Sequence, residues 1–327
     1  MNSRGSRYSF FTAPATLLIL LLAFWISAGF VPNITIEEDW VPALISFTDI
    51  SQLGHRWSIY FGTFFLLLNS FSLYVIGLKS LYTGRNKFLI PLIYLLFVLV
   101  SPSSLYFSGT SVASLLLLWS LYFSITSKQS NLHFFISGFL AANAILFEPS
   151  LTLLVFLIMA FAFSSRGLSA RSLVMMLSSI LIPFLFTLSI RYLLFEDATL
   201  FAELFYEKIT SVSPFQIGLQ SFADLVLYIA LFVVLLSAVW HIAEQRGRYK
   251  IEKSRTMTRF VLMLIVLLLI IVLFPNKMTA YAPIIAIPAA VLMNEYLLNY
   301  DKSNKHKIQW IILLTLMLVA RISEIIL

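Results

Sequence analysis

Long apolar runs, separated by short polar breaks, recur along the whole of this sequence. A helix that crosses the hydrocarbon core of a membrane needs roughly 17 to 25 apolar residues, because each residue adds about 1.5 Å along the helix axis. Runs of about this length indicate about eleven spans. The predicted spans are 12–31, 57–78, 88–104, 109–126, 133–148, 150–165, 172–195, 221–243, 259–275, 279–299 and 308–326. The pattern therefore predicts an all-α, polytopic transmembrane protein.

Two stretches leave alternatives open. The segment 133–165 forms either two short spans or a helical hairpin that does not cross the membrane fully. The run after Arg4 and Arg7 is either an uncleaved first span or, given the small residues Ala28 and Gly29, a signal peptide. Signal peptides have a shorter apolar core, so we expect an uncleaved span.

The composition supports the membrane class. Of the 327 residues, 60% are hydrophobic and only 11% are charged, against about 25% charged residues in ordinary globular domains. No polar stretch is long enough to bury a core of its own, so we expect a single integral membrane domain over residues 1–327. The chain contains no cysteine, which excludes disulfides and thiolate metal sites.

The net charge of +7 is distributed unevenly along the chain. Most Lys and Arg residues fall in alternate polar breaks, which the positive-inside rule assigns to the cytoplasm together with the amino terminus. We therefore expect the positive charge to meet membrane lipids and not nucleic acid. The basic loop 246–259 is either a topology anchor against anionic headgroups or a docking site for a partner.

Carboxylates are concentrated in the segments predicted to lie on the outer side. In the first of these segments, 31–57, Glu38 or Asp39 is a candidate general base or ligand of a divalent cation. The alternative is a solvated acidic loop that only fixes orientation. The second segment, 196–221, shows an amphipathic pattern that predicts a helix lying in the membrane interface.

Three further residues are candidates for binding an anionic substrate. Arg191 lies in an apolar run, where an ionisable group is costly, and it either grips a phosphate or reaches to the interface. Lys277 is a lone cation in the predicted outer break 274–277, with Tyr281 one turn further on. Pro288 and the prolines before it indicate either a pocket or a simple kink. Glu148 stands at an outer span end and is either interfacial or buried.

Three segments carry a resemblance. They are Ser101-Pro102-Ser103-Ser104-Leu105-Tyr106, the stretch from Gly138 to Glu148-Pro149, and Lys277-Met278-Thr279-Ala280-Tyr281-Ala282-Pro283 continuing to Pro288. Together they resemble the membrane domain of GT-C glycosyltransferases, polytopic enzymes that use lipid-phosphate-linked sugars. The chain also resembles an uncharacterised family of Bacteroidota inner-membrane proteins, notably at Pro275-Asn276-Lys277.

The resemblance implies a multi-pass protein of the bacterial inner membrane that transfers a sugar from a polyprenyl-phosphate donor on the outer side. Glu38 or Asp39 would then be the catalytic base or would hold a divalent cation, and Arg191, Lys277 and Tyr281 would bind the donor. The sequence departs from the family at Thr110-Ser111, where an acidic residue is common, and at Glu148, where a basic one is usual. The alternatives are a transporter or flippase of an envelope precursor, and a non-catalytic subunit of an envelope assembly.

Overall fold

The fold was taken from a computed structural model that describes residue 22 and residues 55–79, 88–126, 131–166, 169–196, 198–210, 222–298 and 311–319. Nearly all of these residues are helical, and none of them is in a strand. The acidic segment with Glu38 and Asp39, most of the first predicted span and the end of the last one lie outside the described residues.

Ten α-helices have described bounds. They are α1 (His55–Lys79), α2 (Leu89–Leu99), α3 (Gly109–Ile125), α4 (Asn131–Phe147), α5 (Thr152–Arg166), α6 (Ala170–Ile190), α7 (Ala198–Thr210), α8 (Phe222–Gln245), α9 (Ile251–Leu273) and α10 (Ala282–Leu298). Residues 311–319 form a further helical stretch, α11. Within the described residues the predicted all-α class is confirmed, because each predicted span from 57 to 299 overlaps one of these helices.

The helices fall into two length classes. Within the described residues, four helical segments are long and apolar enough to cross a membrane: Trp57–Gly77, Ala170–Leu193, Leu225–Arg248 and Ile251–Leu273. The helices α2, α3, α4, α5 and α10 are apolar but have at most 17 residues, which gives a length of about 25 Å or less. The count of eleven spans and the cytoplasmic amino terminus therefore stay predictions.

The centre of the bundle is built around α10. It packs against α2, α3, α8 and α9, and its side chains are buried almost continuously from Ala289 to Leu297. A helix with neighbours on all sides needs no polar face, and α10 is accordingly apolar over most of its length, with Asn294 and Glu295 as buried polar exceptions near its end. By contrast, α6 and α8 expose rows of large apolar side chains, such as Leu185 and Phe232, as expected where helices face lipid.

Small residues let the helices approach closely. Gly138 of α4 lies against Ser179 of α6, and Gly62 of α1 lies against the carbonyl of Leu105. Between α3 and α4, the Ser120 hydroxyl donates to the Ser137 carbonyl at 2.8 Å. Small residues and cross-helix hydrogen bonds are common at helix contacts in membranes.

The contacts between helix ends define two ends of the bundle. At one, which we call the Glu148 end, the carboxyl end of α4 meets the turn before α10. At the other, the start of α9 meets the end of α10 through an ion pair of Lys253 and Glu295, with 2.7 Å between Nζ and Oε1. We call this the basic end, because most described Lys and Arg residues lie there: Arg171, Arg246, Arg248, Lys250, Lys253, Arg255 and Arg259.

Candidate functional site

Two proline-led turns meet at the Glu148 end. A 3₁₀ turn over Pro149–Leu151 joins α4 to α5, and another over Pro275–Lys277 follows α9 and precedes α10. Proline lacks a backbone N–H and fixes φ, so it ends the preceding helix and suits the first position of the next turn. The sequence therefore interrupts two long apolar stretches at the same level of the bundle.

Four polar side chains from these turns are connected. Lys277 Nζ lies 2.8 Å from Oε1 of Glu148, and the Ser150 hydroxyl donates to the same oxygen at 2.6 Å. The Ser150 oxygen also hydrogen-bonds the Tyr281 hydroxyl, 2.5 Å away. We call Glu148, Ser150, Lys277 and Tyr281 the Glu148 cluster. Its hydrogen bond between Ser150 and Tyr281 joins residues that are 131 positions apart in the chain.

The cluster has a closed side and an open side. Tyr281 is fully buried, and the side chain of Glu148 is 7% exposed, whereas that of Lys277 is 36% exposed. An ammonium group has three N–H donors, and Glu148 takes one of them. Lys277 is therefore the exposed member of the cluster, and its ammonium is held by the buried carboxylate of Glu148.

These positions decide two points that the sequence left open. Glu148 is buried and not interfacial. Lys277, the cation expected in the outer break, forms an ion pair with this carboxylate. A buried carboxylate needs a counter-charge and further donors to offset its desolvation, and here Lys277 and Ser150 supply them.

Arg191 lies at the same end of the bundle. It begins a short π-helix, Arg191–Phe195, that follows α6, and its Cζ lies 5.4 Å from the centroid of the Phe201 ring. Phe201 belongs to α7 and packs with Leu146, two residues before Glu148. Arg191 therefore forms a cation–π contact with α7, and Phe201 packs in turn on the last turn of α4, close in sequence to Glu148.

The helix predicted in segment 196–221 corresponds to α7. Its apolar side chains do not share one face, because Phe201 packs inward while Leu200 and Leu204 are exposed. α7 also contacts the 3₁₀ turn over Pro149–Leu151. The helix therefore covers part of the Glu148 end with its Phe201 side.

A second polar group lies next to the cluster. The Asn69 amide donates to the Ser114 hydroxyl at 2.8 Å, and Ser108 bonds Thr110 at 2.8 Å. Gly109, between them, lies against the Phe147 carbonyl, one residue before Glu148. The sequence reasoning did not single out this network as a site, although the run of Ser and Thr from 108 to 114 in an apolar region was a usable signal.

Of the predicted binding residues, Lys277 and Tyr281 are brought together through Glu148 and Ser150, with Arg191 nearby. The sequence does not indicate the roles of Glu148 and Ser150, because neither has a local pattern that reveals a partner in another helix. No group of three His, Cys, Asp or Glu residues close enough to hold a metal ion occurs in the described part of the chain. The divalent-cation expectation rests on Glu38 and Asp39, which lie outside that part.

The apolar helices and their outward-facing side chains define a helical protein of the membrane class. Within that class, the sequence profile of a family of unknown function, DUF6427, matches residues 43–326. Because this region is most of the 327 residues, the chain belongs to that family. No curated protein and no solved structure matches the chain. The matched region includes the Glu148 cluster and Arg191 and begins after Asp39.

Proposed function

We propose that this protein is a membrane glycosyltransferase that uses a polyprenyl-phosphate-linked sugar as its donor. The observation that carries the proposal is the Glu148 cluster, in which a buried carboxylate holds a partly exposed ammonium at one end of a largely apolar bundle. A partly exposed ammonium at the edge of an apolar region is suited to a ligand that is a phosphate at one end and a hydrocarbon chain at the other.

In this proposal, Lys277 contacts the donor phosphate and Arg191 approaches it from the side of α7. The phosphate charge develops on the leaving group as the sugar is transferred, so fixed cations lower the energy of that state. Glu148 orients the ammonium from the buried side, and Tyr281 and Ser150 hold Glu148 in turn. Glu38 or Asp39 is the proposed base that activates the acceptor.

A path through the bundle along 275–288, as a transporter would use, has less support. The residues around Pro288 are buried against neighbouring helices, with Ile287 and Ala289 at most 2% exposed. A transporter and a non-catalytic envelope subunit are therefore kept as outcomes of the test below.

The chain offers a matched pair of variants for that test. Lys277→Gln breaks the ion pair with Glu148, and Lys253→Gln breaks the equivalent pair with Glu295 at the basic end. Each is expressed in a strain that lacks the protein, protein abundance is equalised by immunoblot, and surface glycans and polyprenyl-linked sugars are measured by mass spectrometry.

We expect Lys277→Gln to abolish the glycan and to leave the lipid-linked donor unused. Lys253→Gln should retain the glycan, although it leaves a more deeply buried carboxylate without its partner. Equal losses in both variants would contradict a site at the Glu148 end. Unchanged glycans in the strain that lacks the protein would contradict the transferase proposal. A lipid-linked donor that stays in the inner leaflet in that strain would favour a transporter.

A further inference from the structure

A groove at the basic end is independent of the Glu148 cluster. It has a volume of about 650 Å³ and lies between α5 and α9, with the turn 246–249 across its end. The α5 side is lined by Leu157, Phe161 and Ser164, and the α9 side is lined by Arg255, Arg259 and Leu262. These spacings of three and four residues place each set on one face of its helix, so the groove is a space between two facing helix surfaces.

One wall of the groove carries fixed positive charge. The Arg259 side chain is buried, and its Nη2 donates to the Ser164 hydroxyl at 3.0 Å and to the Phe161 carbonyl at 3.3 Å. Arg246 and Arg255 are exposed at the opening. Among the described residues that line the groove there is no carboxylate. Three arginines line this one space, and no carboxylate among its described lining residues competes with a bound anion, so the groove favours an anion.

The apolar part of the groove continues along the outside of the bundle. Below Leu262, the side chains of Ile265 and Leu269 on α9 are 55% and 51% exposed. On α5, Phe156 and Leu153 are 63% and 40% exposed. A hydrocarbon chain that starts in the groove therefore has an apolar track along both helices toward the Glu148 end.

We infer that this groove is a binding site for one anionic glycerophospholipid. Its phosphate and headgroup lie among Arg246, Arg255 and Arg259, and an acyl chain lies along Leu262 and Ile265. A soluble anion would use the arginines but not the apolar track, and a general topology anchor would use the charges of the whole loop equally. The arrangement of charge at one end and exposed apolar surface at the other matches a lipid.

The test uses the purified full chain and two double variants of equal charge. Arg246→Gln with Arg255→Gln removes two charges from the groove, and both side chains are exposed, so the fold should be retained. Arg248→Gln with Lys250→Gln removes two charges from the same loop, at residues that do not line this groove. Binding of phosphatidylglycerol and of phosphatidylcholine is measured by native mass spectrometry during titration.

We expect the wild type to bind one phosphatidylglycerol in preference to phosphatidylcholine. The groove variant should lose about tenfold or more of its affinity for phosphatidylglycerol, and the control variant less than about twofold. Equal losses in the two variants would overturn the inference in favour of a general electrostatic anchor. Displacement of the lipid by millimolar glycerol phosphate would overturn it in favour of a soluble anion. Neither readout depends on glycosyl transfer.

Discussion

At the scale of single residues, the proposed site depends on how the buried Glu148 carboxylate is satisfied. Glu148 accepts from Lys277 and Ser150, and Ser150 is bonded in turn to Tyr281. Tyr281 is fully buried, so its hydroxyl positions Ser150 from inside the bundle. Its predicted part in substrate binding is therefore expected to be indirect, through Ser150 and Glu148.

Removal of the Tyr281 hydroxyl should weaken the hydrogen bonds of the cluster without creating a large cavity, because the aromatic ring stays in place. We expect Tyr281→Phe to lower the free energy of unfolding by about 1 kcal/mol, the usual net value of one buried hydrogen bond. Thermal unfolding in detergent measures the change. Tyr60→Phe, at a tyrosine that is 58% exposed, is the control and should leave the midpoint unchanged.

A double-mutant cycle makes this test specific. Ser150→Ala and Tyr281→Phe should be non-additive, because each removes the partner of the other. Additive losses would show that the two hydroxyls do not interact in the folded protein.

At the scale of elements, the position of the Glu148 end depends on close contacts between helices and turns. The 3₁₀ turn Pro102–Leu105 lies against Gly62 of α1, so closely that a Cβ at this position would meet the Leu105 carbonyl. The Ser104 hydroxyl lies 2.6 Å from both the Val98 and the Ser101 carbonyl oxygens, so its single O–H is shared between two carbonyls at the end of α2. Backbone that is fixed in this way cannot move aside for an added methyl group.

A methyl group at Gly62 should therefore be destabilising. We expect Gly62→Ala to cost about 1–3 kcal/mol, as overpacking in a close-packed interior does. Gly247→Ala is the matched control, because a Cβ there has nothing within 4 Å, and it should change stability by less than about 0.5 kcal/mol. The midpoints of thermal unfolding decide between these expectations, and equal midpoints would mean that α1 does not pack on this turn.

The sequence predicted the elements better than their partners. Hydrophobic run length located the helices, for example 57–78 for α1 (His55–Lys79) and 109–126 for α3 (Gly109–Ile125). Run length carries no information about which helices are neighbours, so the ion pair between residues 129 positions apart was not predicted. The same limit explains α7, where the amphipathic pattern indicated a helix but not that Phe201 would pack inward.

At the scale of the whole molecule, charge distinguishes the two ends of the bundle. The basic end holds most of the described Lys and Arg residues, whereas the Glu148 end holds Arg191, Lys208 and Lys277 beside Glu148, Glu196, Glu203 and Glu207. The positive-inside rule then predicts that the basic end faces the cytoplasm and that the Glu148 end faces the outer side. The proposed transferase requires this orientation, because it uses its lipid-linked donor on the outer side of the membrane.

The absence of cysteine from the sequence makes this orientation directly measurable. We expect Thr210→Cys, at the end of α7, to react in intact spheroplasts with a maleimide that cannot cross membranes. Gly247→Cys, in the basic turn, should react only after the membrane is opened. The reverse pattern would contradict both the orientation and the outer location of the proposed site.

The measurement that tests the central claim most directly is the activity of the exchanged ion pair, Glu148→Lys with Lys277→Glu. The exchange preserves the attraction between the two positions but moves the ammonium from the open side of the cluster to the buried side. If Lys277 binds the donor phosphate, the double variant should be present in the membrane at near wild-type abundance and yet show the glycan defect of the null strain. Full restoration of the glycan by the exchanged pair would contradict the account, because it would mean that the pair serves only to hold the helices together.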